Sequence, residues 1–195
     1  LVPLFFLPFS QNVLGYPKQI LFLFLVFLSL LAWFGKQLIQ GKIIIRENKL
    51  LYLTLLLILV LFSFSTIFSI WPTASFWGWS QSGPDNFLTI FSLLLLAFLF
   101  VNTFQTEREI FFALLLILIS GAIAGLFIIF QLYGFFILPF DFSQTSSFNT
   151  LGSPSQAAIF LAALLPLSVA LAFLIKKPIF WLIFLILLGS VILID

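Results

Sequence analysis

Residues 146–177 read SSFNTLGSPSQAAIFLAALLPLSVALAFLIKK. An uncharged polar turn runs into a long apolar stretch that ends on two lysines. Ser153 suits the N-cap position and Pro154 the first helical position. Gln156, three residues after Ser153, completes a capping box. Gly152 lets the chain turn sharply into the helix. The apolar run 155–175 has the length needed to cross a hydrocarbon core, about 20 residues. The segment therefore predicts a capped transmembrane helix that starts at one membrane face and ends in basic residues at the other.

The same pattern repeats outward from this segment. A helix end lies at 1–9, and apolar spans are predicted at 20–35, 50–70, 87–103, 110–134 and 179–195. Backbone in contact with lipid must satisfy its own hydrogen bonds, so all of these are helices. The expected fold is all-α, a polytopic transmembrane helix bundle of about seven spans with the first one truncated. It is read as a single transmembrane domain, residues 1–195, from the N-terminal part of a longer membrane protein. Only 7% of the residues are charged and 63% are hydrophobic, with a mean hydropathy of +1.31. Soluble domains carry about 25% charged residues, so that class is excluded.

The few charges are placed unevenly. Lys36, Lys42, Arg46 and Lys49 fall in loop 36–49, Arg108 in loop 104–109, and Lys176 and Lys177 in loop 176–178. Alternating spans put all seven on one side, with only Lys18 opposite. By the positive-inside rule these loops are cytoplasmic, and loops 71–86 and 135–154 lie outside. The outer loops carry Asp85 and Asp141 and no basic residue. The basic excess is thus an orientation signal. It does not call for a nucleic-acid partner; the expected partner is membrane lipid.

Cysteine and histidine are both absent. Disulfides and thiolate metal sites are excluded, and so is the commonest general base. No metal or cofactor is expected. No charged residue falls within a predicted span, so the usual marker of an ion or proton pathway is missing. Trp71, Trp77 and Trp79 on one side, and Trp33 and Trp181 on the other, read as aromatic belts at the headgroup level. Trp77 in WPTASFWGW, residues 71–79, also offers an indole face on which a sugar ring can stack. Gly121 and Gly125 form a GxxxG motif that lets a neighbouring helix come close. Ala158 and Ala162 repeat the spacing, and Pro166, in mid-span, predicts a kink.

The capped start at Ser153 has a second reading. A helix N-terminus presents backbone N–H groups and the positive end of its dipole, which together favour anions. The predicted orientation points this end at the outer leaflet, where Asn149, Thr150 and Ser153 can hydrogen-bond a sugar or a phosphate. No catalytic residue is evident.

The run Thr150-Leu151-Gly152-Ser153-Pro154-Ser155-Gln156-Ala157-Ala158, followed by an apolar helix containing Leu-Pro-Leu, resembles a motif of the O-antigen ligase family. Gly152-Ser153-Pro154-Ser155 stands where many members have a Gly-Asn-Pro-Asn turn. FSIWPTASFWG, residues 68–78, and GLFIIFQLYG, residues 125–134, are similar to two further stretches of that family. The resemblance spans nearly the whole chain. It implies a bacterial inner-membrane, multi-pass glycosyltransferase of cell-envelope polysaccharide biosynthesis. Such enzymes transfer a glycan from an undecaprenyl-diphosphate carrier to an acceptor at the outer face. The reading of the turn and of the Trp-rich segment makes Asn149, Thr150, Gly152, Ser153 and Trp77 the candidate contacts for such a substrate. The family's catalytic His and outer Arg residues have no counterpart here, and the slot where members carry a basic residue reads Thr145-Ser146-Ser147-Phe148. No catalytic role carries over, and the segment alone is expected to be inactive. A transporter or lipid-linked-sugar flippase, or a non-catalytic scaffold, remains the alternative. A long outer loop with His and Arg after Asp195 would separate the enzyme from both.

Overall fold

The computed structural model describes residues 15–41, 45–78, 86–104, 106–145 and 148–194. The helix end expected at 1–9, and Lys42, Trp79, Asp85, Ser146 and Ser147, lie outside them. Among the described residues all regular structure is helical: α1 Gly15–Gln40, α2 Lys49–Ile67, α3 Pro72–Trp77, α4 Phe87–Thr103, α5 Glu107–Leu132, α6 Pro154–Ile175 and α7 Pro178–Ile194. A 3-10 turn, Asp141–Ser143, lies between α5 and α6. Four of these helices, α1, α2, α5 and α6, are long and apolar enough to cross a membrane; α4 and α7 are shorter apolar helices. The chain is a multi-pass, all-helical membrane protein.

Local chemistry explains the boundaries. Asn48 caps α2 by accepting from the Leu51 N–H at 3.2 Å, and Asn86 caps α4 by accepting from the Thr89 N–H at 3.0 Å. Thr106 and Glu109 form a reciprocal capping box at the start of α5. Lys176 ends α6 in the left-handed conformation, φ 55°, and Pro178 opens α7 one residue after Lys177. The reversal between these helices is therefore only two residues long.

Two of these boundaries refine the sequence reading, and the first follows from length: a 16-residue run such as 20–35 must recruit flanking residues to cross a bilayer. Helix α1 is longer than the expected 20–35 span and takes in both Lys18 and Lys36. The rise along the helix from Lys18 to Lys36 is about 27 Å, close to a hydrocarbon core's thickness, so each charged head sits near an end of the helix. Their long stems let such residues lie along a span while the ammonium reaches the interface. The segment read as loop 71–86 contains α3, a short helix opened by Pro72.

The described residues fall into two compact units that divide between Ile110 and Phe111. In the first, α4 packs against α1, α2 and α3. Phe98 of α4 meets Trp33 of α1 edge-on at 5.6 Å and Tyr52 of α2 at 5.8 Å. Trp33 is buried, so it is a packing residue of this unit and not part of an interfacial belt. At the other end, Phe76 stacks on Phe87 at 5.4 Å.

In the second unit, α5, α6 and α7 share a core that includes Leu118, Leu161, Leu164 and Leu187. Lipid tails are as apolar as leucine, so membrane helices associate through close packing of small residues. A Cβ on Gly121 would collide with Leu164 Cδ1, and one on Gly125 would stand 2.9 Å from Ser190 Oγ. The GxxxG face thus lets α6 and α7 approach the α5 backbone. On α6 the fully buried small residues are Ala157, Ser168 and Ala172, in a stripe with Leu161 and Leu164. Ala158 and Ala162 are only partly buried, so the contact stripe runs one residue earlier than the Ala158/Ala162 spacing suggested. Helix α6 continues without a break through Pro166, which lies on an exposed part of its surface.

Candidate functional site

The turn 148–156 is built from its own side chains. Asn149, almost fully buried, accepts through Oδ1 from the Leu151 N–H at 3.0 Å and the Gly152 N–H at 2.9 Å. Ser153 Oγ accepts from the Gln156 N–H at 3.3 Å, and Gln156 Oε1 accepts from the Ser153 N–H at 3.1 Å, completing the predicted capping box. Gly152 has φ +129°, and a Cβ there would fall on Gln156 Oε1. Only glycine allows this backbone and the box together. Thr150 is buried beside Asn149.

These bonds change what the helix start offers a ligand. The amides of Leu151, Gly152, Ser153, Gln156 and Ala157 are all engaged within the turn. Pro154 has no N–H. Ser155, exposed at the second position of α6, carries the one amide in 151–157 that has no bond within the described residues. An anion approaching here meets a single N–H, exposed serines and the dipole of a 22-residue helix.

The loop before this turn is held by a residue whose part the sequence did not disclose. Gln131, 1% exposed near the end of α5, donates from Nε2 to the Ser143 carbonyl and to the Thr145 carbonyl at 2.9 Å. Ser143 Oγ in turn donates to the carbonyls of Phe140 at 2.7 Å and Leu138 at 3.1 Å. Phe148 packs edge-on against Phe127 at 6.3 Å. The polar link between α5 and α6 is thereby tied to the end of α5. The available signal was one amide in an otherwise apolar helix, which must find buried partners.

Asn149, Thr150, Gly152 and Ser153 are thus brought together in one turn. Trp77 stands on α3 in the other unit, 66% exposed and edge-on to Phe76 at 5.3 Å. Asp141 opens the 3-10 turn and is exposed.

A second polar cluster lies in the first unit. Asn102 Oδ1 accepts from the Arg46 N–H at 2.9 Å and from the Tyr52 hydroxyl at 3.1 Å, and its Nδ2 donates to the Phe98 carbonyl at 2.8 Å. The Tyr52 hydroxyl lies 2.8 Å from the Arg46 carbonyl. One buried amide thus clamps the loop before α2 onto α4. Among the described residues no three of His, Cys, Asp or Glu stand close enough to share a metal ion. No family model, curated protein or solved structure matches this chain.

Proposed function

We propose that this chain is the carrier-binding part of a bacterial inner-membrane glycosyltransferase of the O-antigen ligase kind. In this reading the turn 148–156 faces the outside and receives the diphosphate of an undecaprenyl-diphosphate-linked glycan. The polyprenyl tail lies along the apolar helices, and the glycan acceptor approaches from the same side. The observation that carries the proposal is the construction of the turn. It is uncharged, it is fixed by Asn149 and the Ser153–Gln156 box, and it exposes Ser155 at the positive end of a long helix. Helix N-termini favour phosphate groups through their free amides and dipole. The resemblance of this turn to the family motif supports the same substrate. Proton transfer and charge stabilisation fall to groups other than those named here, because releasing a diphosphate needs positive charge.

The test uses Ser155→Asp. A carboxylate in the first helical turn interacts favourably with the dipole, by about 0.3–1 kcal/mol, so the folded protein gains or keeps stability. The same charge repels a diphosphate. The thermal midpoint in detergent should hold or rise, while undecaprenyl-diphosphate retained in native mass spectrometry should fall several-fold. Unchanged retention would remove the turn from the carrier site.

A further inference from the structure

Helix α2 differs from every helix of the second unit: none of its 19 residues is buried. Leu53, Leu56, Leu57, Leu61 and Phe64 are all exposed. Beyond its contacts with α3 and α4, it is also poorly suited to a further helical partner. It contains no Gly or Ala to let a second backbone approach. Three of its four Ser and Thr hydroxyls, those of Thr54, Ser63 and Thr66, donate to carbonyls four residues back on the same helix, at 2.7–2.9 Å, which leaves only Ser65 uncommitted. Small residues and spare polar groups are what hold helices together in a membrane. Acyl chains are the chemistry this surface accepts.

One end of the helix carries more cations than anions: Glu47, exposed between Arg46 and Lys49, offsets only one of three positive charges. Lys49 is its first residue, Arg46 lies three residues earlier, and Lys36 lies near the end of α1; all three are exposed. Among the described residues none of the three has a carboxylate within ion-pair distance. The backbone at Arg46 is held by hydrogen bonds to Asn102 and Tyr52.

We propose that this end of the first unit is a binding site for an anionic phospholipid, with acyl chains along α2 and the headgroup phosphate among Lys36, Arg46 and Lys49. The inference does not rest on the glycan-carrier reading. Each basic residue near a membrane surface favours anionic lipid by roughly fivefold; with Glu47 offsetting one of the three, the remaining charge still gives a selectivity above roughly tenfold.

The experiment is native mass spectrometry of the full chain released from vesicles of equal phosphatidylglycerol and phosphatidylcholine. The expected result is preferential retention of phosphatidylglycerol. The triple variant Lys36→Gln, Arg46→Gln, Lys49→Gln should lose the preference, and Lys176→Gln with Lys177→Gln, in the other unit, should keep it. Asn102→Leu, which keeps all charges but frees the clamp, should weaken the preference without abolishing it. Equal retention of the two lipids by the parent chain overturns the proposal. So does a triple variant that retains the preference, or a stable second copy on α2 in place of lipid.

Discussion

Replacing Gln131 with Leu tests whether the polar link between α5 and α6 is held as described. The substitution keeps the volume and removes both donated hydrogen bonds, to the Ser143 and Thr145 carbonyls. Leaving a buried acceptor unsatisfied costs about 1–3 kcal/mol. Ser143 is 1% exposed, so its carbonyl meets that full cost. Thr145 is exposed, and water replaces much of what its carbonyl loses. The expected local destabilisation is therefore about 2 kcal/mol, which corresponds to roughly thirty-fold easier opening. Amide hydrogen exchange reads this directly. The Ser143 and Gln144 amides, which donate to Phe140 and Asp141 within the 3-10 turn, should exchange roughly thirty-fold faster. The Leu151 and Gly152 amides, held by Asn149, should keep their rates. Gln131→Glu should behave similarly, since a carboxylate has no donor for two carbonyls. Unchanged exchange at Ser143 and Gln144 in both variants would refute the role given to Gln131.

Further outcomes follow from the same geometry. Ser153→Ala removes the acceptor for the Gln156 N–H and should cost about 1 kcal/mol in thermal unfolding, with the loss confined to the start of α6. Lys176→Gly relieves a left-handed non-glycine residue and should raise stability by about 1 kcal/mol, measured by denaturant or thermal unfolding in detergent. Single cysteines at 46 and 177 should react only from the cytoplasmic side and one at 145 only from outside; labelling of 145 from within would reverse the predicted orientation.

The spans were legible because their determinants are local. A bilayer fixes the length of an apolar run, and a cap needs only residues a turn apart. Hence α4, α6 and α7 start within a residue of their predicted positions, and the Ser153–Gln156 box was readable from its spacing alone. That the short 20–35 run must recruit flanking residues was legible too; how far α1 extends was not, because Lys18 and Lys36 look like loop residues until their stems are allowed to run along a helix. Trp33 shows a second limit. Tryptophan near a span end is usually interfacial, yet this one is buried against Phe98. Least legible were the amide clamps. Gln131 finds partners 12 and 14 residues away, and Asn102 finds Arg46 and Tyr52 at separations of 56 and 50. Polarity in an apolar helix says that a partner exists, but tertiary packing chooses which one. The candidate turn was therefore visible as a motif, while the engagement of most of its amides emerged only from the fold.

The central claim, that the start of α6 receives a lipid diphosphate, is tested most directly by photocrosslinking. A photoreactive residue replaces Ser155 in one protein and Leu174, an exposed residue near the far end of the same helix, in another. Each is irradiated in vesicles containing an undecaprenyl-diphosphate-linked glycan. The account predicts a carrier adduct at 155 in clear excess over 174, suppressed by added unlabelled undecaprenyl diphosphate. Equal adducts at the two positions, or an adduct at 155 that excess carrier does not displace, would contradict it.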